Sequence, residues 1–220
     1  MIECIKGGEK MTFEKVYKIF SNIPTIRCQR IDLRRINTSD TQDVYEYASD
    51  PDVSEYLLWK PHKSIEYTKD YLNWIKNEYR IGKFYDWGIA VSQGIYKNKM
   101  IGTCGFTSFD LYNNSAEVGY VLNKRFWGQQ IADEALSAVI KFGFEELMLH
   151  RIEAKYIIGN DNSRRVMEKC GMTFEGIRRS GMIVKGEYRD IGVCSVISDE
   201  YFDRKTNFED LSEKEYEEIK

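Results

Sequence analysis

Apolar and polar positions alternate with changing period along this chain, and each change of period marks an element. Ile31 and Leu33 alternate with Asp32 and Arg34, which predicts a first strand over 31–36. Ser39 or Asp40 then caps a helix that runs through Ala48, and Pro51 stops or restarts it. Behind Ser64, a good helix cap, residues Thr68, Tyr71, Leu72, Ile75 and Tyr79 fall on one face, so 64–81 is read as a helix. Period two returns at Trp87, Ile89 and Val91, again over 100–109, and again over 115–122. Turn residues at 96–99 and at Asn113-Asn114 separate these runs, so an antiparallel meander is expected.

The period then switches to that of a helix. Ile131, Ala135, Leu136, Val139, Ile140, Phe142, Phe144 and Leu147 form a broad apolar stripe over 130–147. Residues 151–158 alternate once more, giving strand, helix, strand: a crossover unit with parallel neighbours. A short helix from Ser163 to Cys170 ends at Gly171, a left-handed cap. Two strands follow, near 173–184 and 188–197, around Lys185-Gly186-Glu187. Before all of this, 11–20 predicts a short helix and 1–10 a tail. The expected fold class is α/β (α+β), a mixed and mainly antiparallel sheet of about seven strands flanked by helices. A main domain over 26–200 follows an N-terminal tail and helix (1–25) and precedes a charged helix or tail (201–220).

Composition narrows the function classes. The chain has 220 residues, 42% of them hydrophobic, enough to enclose one core with elaborations. With 32 Lys and Arg against 35 Asp and Glu, it lacks the basic footprint of a nucleic-acid binder. Its five cysteines (Cys4, Cys28, Cys104, Cys170, Cys194) have irregular spacing and no CxxC pair, so neither a disulfide framework nor a metal site is expected. Cys104, Cys170 and Cys194 sit in apolar contexts as core residues. No run reaches membrane-span length and the N-terminus has no apolar signal core, so a soluble cytosolic protein with no membrane partner is expected.

Two motifs carry chemistry. Trp127-Gly128-Gln129-Gln130-Ile131-Ala132 lies between a strand and the long helix, where small residues let a ligand approach the free amides of a first helical turn. Such amides suit a diphosphate. Asn160-Asp161-Asn162-Ser163 follows the parallel strand, at the end of the sheet where ligands bind. Asn160 offers both a donor and an acceptor, or it caps the helix that follows. Coenzyme A, with its pyrophosphate and its amide-bearing arm, needs contacts of both kinds.

The order AEVGYVL, RFWGQQIADEAL, HRIEA, NDNSRRVMEKCGMTFEG and GEYRDIGV resembles the GNAT superfamily of N-acetyltransferases, in particular the ribosomal-protein N-terminal (alanine/serine) acetyltransferase branch. The resemblance covers roughly residues 27–200. It implies a GNAT-like sheet with its parallel strand pair around an acetyl-CoA site. Residues 127–132 would hold the pyrophosphate; Val121, Leu122 and Asn123 would offer backbone to pantetheine; Asn160, Asn162 and Ser163 would flank the thioester. Two positions depart from the superfamily pattern. Trp127 stands where Gln or Arg is usual, and Gln130 replaces the central glycine, which is costly if that residue needs positive φ.

Acetyl transfer to an amine needs a base, a polarised carbonyl and a proton for the thiolate. Glu117 shares a strand face with the hollow at Gly119 and is the candidate base; a salt-bridged structural glutamate is the competing reading. Following the resemblance, Ser163 is the candidate acid, with Tyr156 and Tyr188 in reserve. A backbone amide near Tyr120 to Leu122 would polarise the carbonyl. Direct attack needs no cysteine, and neither histidine, His62 or His150, is given a role. The acceptor amine, a peptide N-terminus or a small molecule, is expected between about 51–81 and 178–189. Trp59, Tyr67, Tyr71 and Trp74 make that region aromatic, although core packing is the simpler account of them. A polyamine or aminoglycoside-type acceptor, and a non-catalytic acyl-CoA sensor, are the competing readings. A homodimer is compatible with either.

Overall fold

The meander read from the alternating positions consists of β1 (Ile26–Arg27), β2 (Ile31–Arg34), β3 (Asp86–Val91), β4 (Met100–Asp110) and β5 (Ser115–Leu122). It continues into β6 (Arg151–Ile157), β7 (Thr173–Val184) and β8 (Glu187–Ile197). The computed structural model describes residues 11–206; the expected tail at 1–10, and 207–220 of the expected charged C-terminal segment, lie outside the described residues. The strands form one eight-stranded sheet in the order β1-β2-β3-β4-β5-β6-β8-β7. Every neighbouring pair is antiparallel except β5 and β6, which run parallel. About seven strands were expected; the eighth is β1, whose two residues are too short to show alternation.

Six labelled helices flank the sheet: α1 (Phe13–Ser21), α2 (Thr41–Ala48), α3 (Pro51–Ser54), α4 (Ile65–Arg80), α5 (Ile131–Glu145) and α6 (Asp161–Lys169). Their starts follow capping chemistry. The Thr12 side chain accepts from the Lys15 amide, Ser64 from Tyr67, and Asn160 from Ser163. Pro51 occupies the first turn of α3, so it restarts a helix. The α6 helix begins at Asp161, two residues before the expected start, because Asn160 is the cap. Residues 198–206 are also helical, and Tyr201 docks them on α5 through a 2.9 Å bond to Glu145.

Alternation along β3 separates the two faces of the sheet. Trp87 is fully buried on one face, 5.6 Å from Phe20 of α1 and 5.3 Å from Phe142 of α5 (ring centroids). Asp86 points to the other face, under α2 and α4. The apolar positions of β2 to β6 fill a single core between the layers, each large buried side chain contributing about 1.5–3 kcal/mol. No helix among the described residues is long and apolar enough to cross a membrane.

Candidate functional site

The parallel pair β5–β6 is short. Ser115 to Val118 pair with Arg151 to Ala154, and the pairing ends there. Beyond that point β5 remains paired with β4 through Leu122, and β6 remains paired with β8 through Ile157. The two strands therefore splay, leaving the β6-facing edge of β5 from Gly119 to Leu122 with no strand partner among the described residues. Exposed strand edges offer alternating donors and acceptors, the pattern that an amide-bearing chain can pair with.

The chain leaves this edge through Asn123, which is buried and fixed on three sides. Its amide donates to Ile101 O, its Oδ1 accepts from the Arg125 amide, and its Nδ2 donates to Glu46. Trp127 Nε1 then donates 2.8 Å to Leu122 O, closing the turn. Gly128 (φ 72°) and Gln130 (φ 60°) both take the left-handed conformation. Space beside Gly128 is open, so its freedom serves the backbone turn rather than a tight contact. At Gln130 the positive φ is present with a non-glycine residue, which stores strain of order 1–2 kcal/mol.

Arg30, which the sequence reading passed over, holds that strained turn. Its guanidinium donates to Gln129 O at 2.8 Å and to Gln130 O at 3.0 Å. Its Nε and backbone amide both bind the Glu134 carboxylate at 2.8 Å. Glu134 thus supports the loop through Arg30. With the carbonyls drawn to Arg30, the amides of residues 128–133 meet no acceptor among the described residues. A run of free amides through left-handed turns into a helix start is an anion cradle. Ile131 and Ala132 belong to its helical part.

Ser163 lies in the first turn of α6, and Tyr120 of β5 reaches it. The Tyr120 hydroxyl is 2.8 Å from Ser163 Oγ and donates to Ser163 O at 2.9 Å. Burial pushes the Tyr120 phenol well up from its ordinary pKa, so it stays protonated. Alternation places Tyr120 with Ala116, Val118 and Leu122 on the α5 face; that signal was available, but only its backbone was considered. The Asn160 side-chain oxygen is used as the cap, and Asn162 is exposed. Of the reserve acids, Tyr188 is exposed on the hairpin and Tyr156 packs under Gly192.

Glu117 stands on the other face. Its Oε2 accepts from Lys155 at 2.6 Å, and Lys155 also pairs with Glu153 at 3.2 Å. Arg151 extends this ladder, bridging Glu153 to Glu175, whose carboxyl it holds down to about pKa 2. The two glycines on this face line up. Asp86 pairs with Gly105, and Gly105 with Gly119, so a furrow without side chains runs from Asp86 to the splayed edge. Above its far end lies a cavity of ≈ 180 Å³ under α2 and α4. Trp59, Tyr67 and Tyr71 line it, and Trp59 also packs against the core, so wall and core share these aromatics. Tyr67 is 56% exposed, and Trp74 stacks on Tyr71 from outside at 5.8 Å. His62, given no role from sequence, is in the wall too. The hairpin turn closes the flank, where Lys185 Nζ donates to Ser54 O at 2.6 Å.

The family model described as "Acetyltransferase (GNAT) domain" matches residues 30–173, from the Arg30 clamp to the start of β7. The chain belongs to the GNAT acetyltransferase family. It is 32% identical over 177 residues to the uncharacterized N-acetyltransferase p20 of Bacillus licheniformis, covering 80% of this chain and 98% of that protein. Among solved structures it is similar to a GNAT-family acetyltransferase from Bacillus anthracis, with TM-score 0.70 and 28% identity over 80% of this chain and 99% of the other. It shares the fold of RimL, a ribosomal-protein alpha-N-acetyltransferase solved in complex with coenzyme A, at TM-score 0.68 and 22% identity over 80% and 99% of the two chains. The protein is thus an N-acetyltransferase of the GNAT family, with a mixed sheet that holds one parallel strand pair.

Proposed function

We propose that this enzyme transfers the acetyl group of acetyl-CoA to a primary amine, on a peptide N-terminus or a small molecule, by direct attack with both substrates bound. The observation that carries this reading is the unpaired edge of β5 lying beside six free amides at the start of α5. The donor set fits the cofactor. Residues 128–133 supply amides for a pyrophosphate, while Val121 and Leu122 supply edge groups for the pantetheine amides. The Nδ2 of Asn160, free of partners among the described residues, adds a donor. When bound, acetyl-CoA supplies an activated acyl group.

The chain's own residues supply the rest. A β5 edge amide at Tyr120 to Leu122 polarises the acyl carbonyl. Ser163 Oγ–H donates to the departing sulfur, and the Tyr120 hydroxyl behind it, kept protonated by burial, orients that donor. On the opposite face, Glu117 with Lys155 relays the amine's proton through water toward solvent. No cysteine is used: Cys104 is buried and Cys170 is tied to Asp133 O and Ser137.

Mass spectrometry of the purified protein with acetyl-CoA, a panel of small amines and short peptides with free N-termini tests the reading. A mass gain of one acetyl group on at least one amine is expected. Coenzyme A binding without any acetylated product would instead support the non-catalytic sensor.

A further inference from the structure

Asp86 is the most unusual polar group outside the machinery just described. It lines the cavity, its carboxylate has no hydrogen-bond partner among the described residues, and no Lys or Arg lines the same space. Room for it is built in. A Cβ at Gly105 would collide with Asp86 Cα and Tyr85 O and lie 2.5 Å from Asp86 Oδ1, so the close backbone approach requires glycine there, and its bare Cα lets the carboxylate lean over Gly105 along the furrow. Two strand spacings of ~4.8 Å put its Cα about 10 Å from that of Gly119, and the lean shortens the reach. Its nearest titratable neighbours are all neutral at pH 7: Tyr47 from α2, Tyr71 and Tyr79 from α4, Cys104 on the far face of β4, and His62 across the cavity. Burial lowers the His62 pKa, and its Nδ1 is 2.8 Å from Thr68 Oγ1. Burial likewise pushes the Asp86 carboxyl up to about 7.

A half-buried carboxylate with no partner is costly, and a cation that supplies one would be favoured there. The aromatic walls add cation–π attraction for an ammonium group. At ~30 Å³ per water, a cavity of ≈ 180 Å³ holds about six waters, enough for an ammonium head and its first few carbons.

We infer that Asp86 is the acceptor-binding carboxylate: it receives an alkylammonium or peptide α-ammonium group in the aromatic cavity and takes one proton from it, which frees the nitrogen lone pair for the β5 edge. One N–H bond breaks and one carboxyl O–H forms; the proton then passes to Glu117 and solvent. The substrate class is a slender primary amine, with the rest of the molecule outside the cavity, which disfavours a bulky aminosugar. This inference rests on the acetyl-transfer reading above.

Calorimetry of the full chain separates the two. Alanine amide and n-butylammonium are titrated into the coenzyme A complex and into the free protein, with lactamide as the uncharged control. Wild type is expected to bind at least one ammonium probe and not lactamide. Asp86→Asn is expected to weaken that binding at least tenfold with coenzyme A affinity unchanged, which also shows that the variant is folded. In turnover, the acid limb of kcat/KM near pH 7 is lost in Asp86→Asn and kept in Glu117→Gln. Ammonium binding that is absent in wild type or unchanged in Asp86→Asn overturns the inference, as does an acid limb that follows Glu117 alone. If Asp86-dependent ammonium binding occurs without acetylated product, the receptor stands and the acetyl-transfer reading fails.

Discussion

Replacing Asp86 by asparagine is expected to make the free protein more stable, by an amount that depends on pH. The carboxyl goes from the ordinary aspartate value near 4 in the unfolded chain to about 7 in the fold. Below pH ~4 both states are protonated and the charge costs nothing. As pH rises from ~4 to ~7 only the unfolded chain ionises, so the native state loses stability across that window and stays penalised above it. At ~1.4 kcal/mol per pH unit, the full penalty approaches about 4 kcal/mol. The carboxylate borders a cavity wide enough for water, so roughly half of that, about 2 kcal/mol, is a sounder expectation. For a chain of this length that gain corresponds to a rise of roughly 4–8 °C in Tm. Urea melts of wild type and Asp86→Asn at about pH 3 and about pH 7.5, below and above the titration window, measure it. The difference should be near zero at the lower pH and near its full value at the higher one. A difference that is the same at both would refute the idea that uncompensated charge, and not packing, sets the cost.

Four further outcomes follow from the geometry. Ser163→Ala should depress kcat at least tenfold with little change in coenzyme A affinity, and Tyr120→Phe should lower kcat by a smaller factor; unchanged turnover in Ser163→Ala removes its role as donor. Arg30→Ala leaves two loop carbonyls without their partner and Glu134 with only the backbone amide of residue 30, and should cost about 1–2 kcal/mol in stability and about tenfold in coenzyme A affinity, both readable by calorimetry and denaturant melts. Gln130→Val forces a β-branched residue into positive φ, so an added loss of about 1 kcal/mol or more is expected; an unchanged melt would show that the turn relaxes. Gly128→Trp fills the open side of the cradle and should abolish coenzyme A binding with the fold retained by circular dichroism.

Much of the scaffold was legible because its signals are local. The Ser64 cap, the stripe on α5 and the alternation of β4 to β6 each follow from residues within a few positions of one another, and the elements start and stop near where those residues put them. β1 escaped notice since two residues carry no period. The site was less legible, because its decisive contacts join distant parts of the chain. Arg30 reaches Gln129, Gln130 and Glu134 across about a hundred positions. Asp86 drew no role from the sequence; only the register Asp86–Gly105–Gly119 reveals the furrow it commands. His62 drew no role from its sequence neighbours, and becomes a wall residue only when α4 folds over the sheet. The Glu117–Lys155 pair likewise depends on β5 and β6 lying side by side.

The Arg30 clasp also bears on the order in which the protein matures. It requires the start of β2 to be seated in the sheet and α5 to be docked, contacts separated by 99 to 104 positions in sequence. Closing so long a stretch is slow compared with forming a helix or a hairpin. Nucleotide-binding competence therefore emerges only with the complete topology, and no early intermediate should sequester the cellular thioester pool. In refolding experiments, recovery of coenzyme A affinity is expected to track the slowest phase, so the ligand doubles as a sensor of finished molecules.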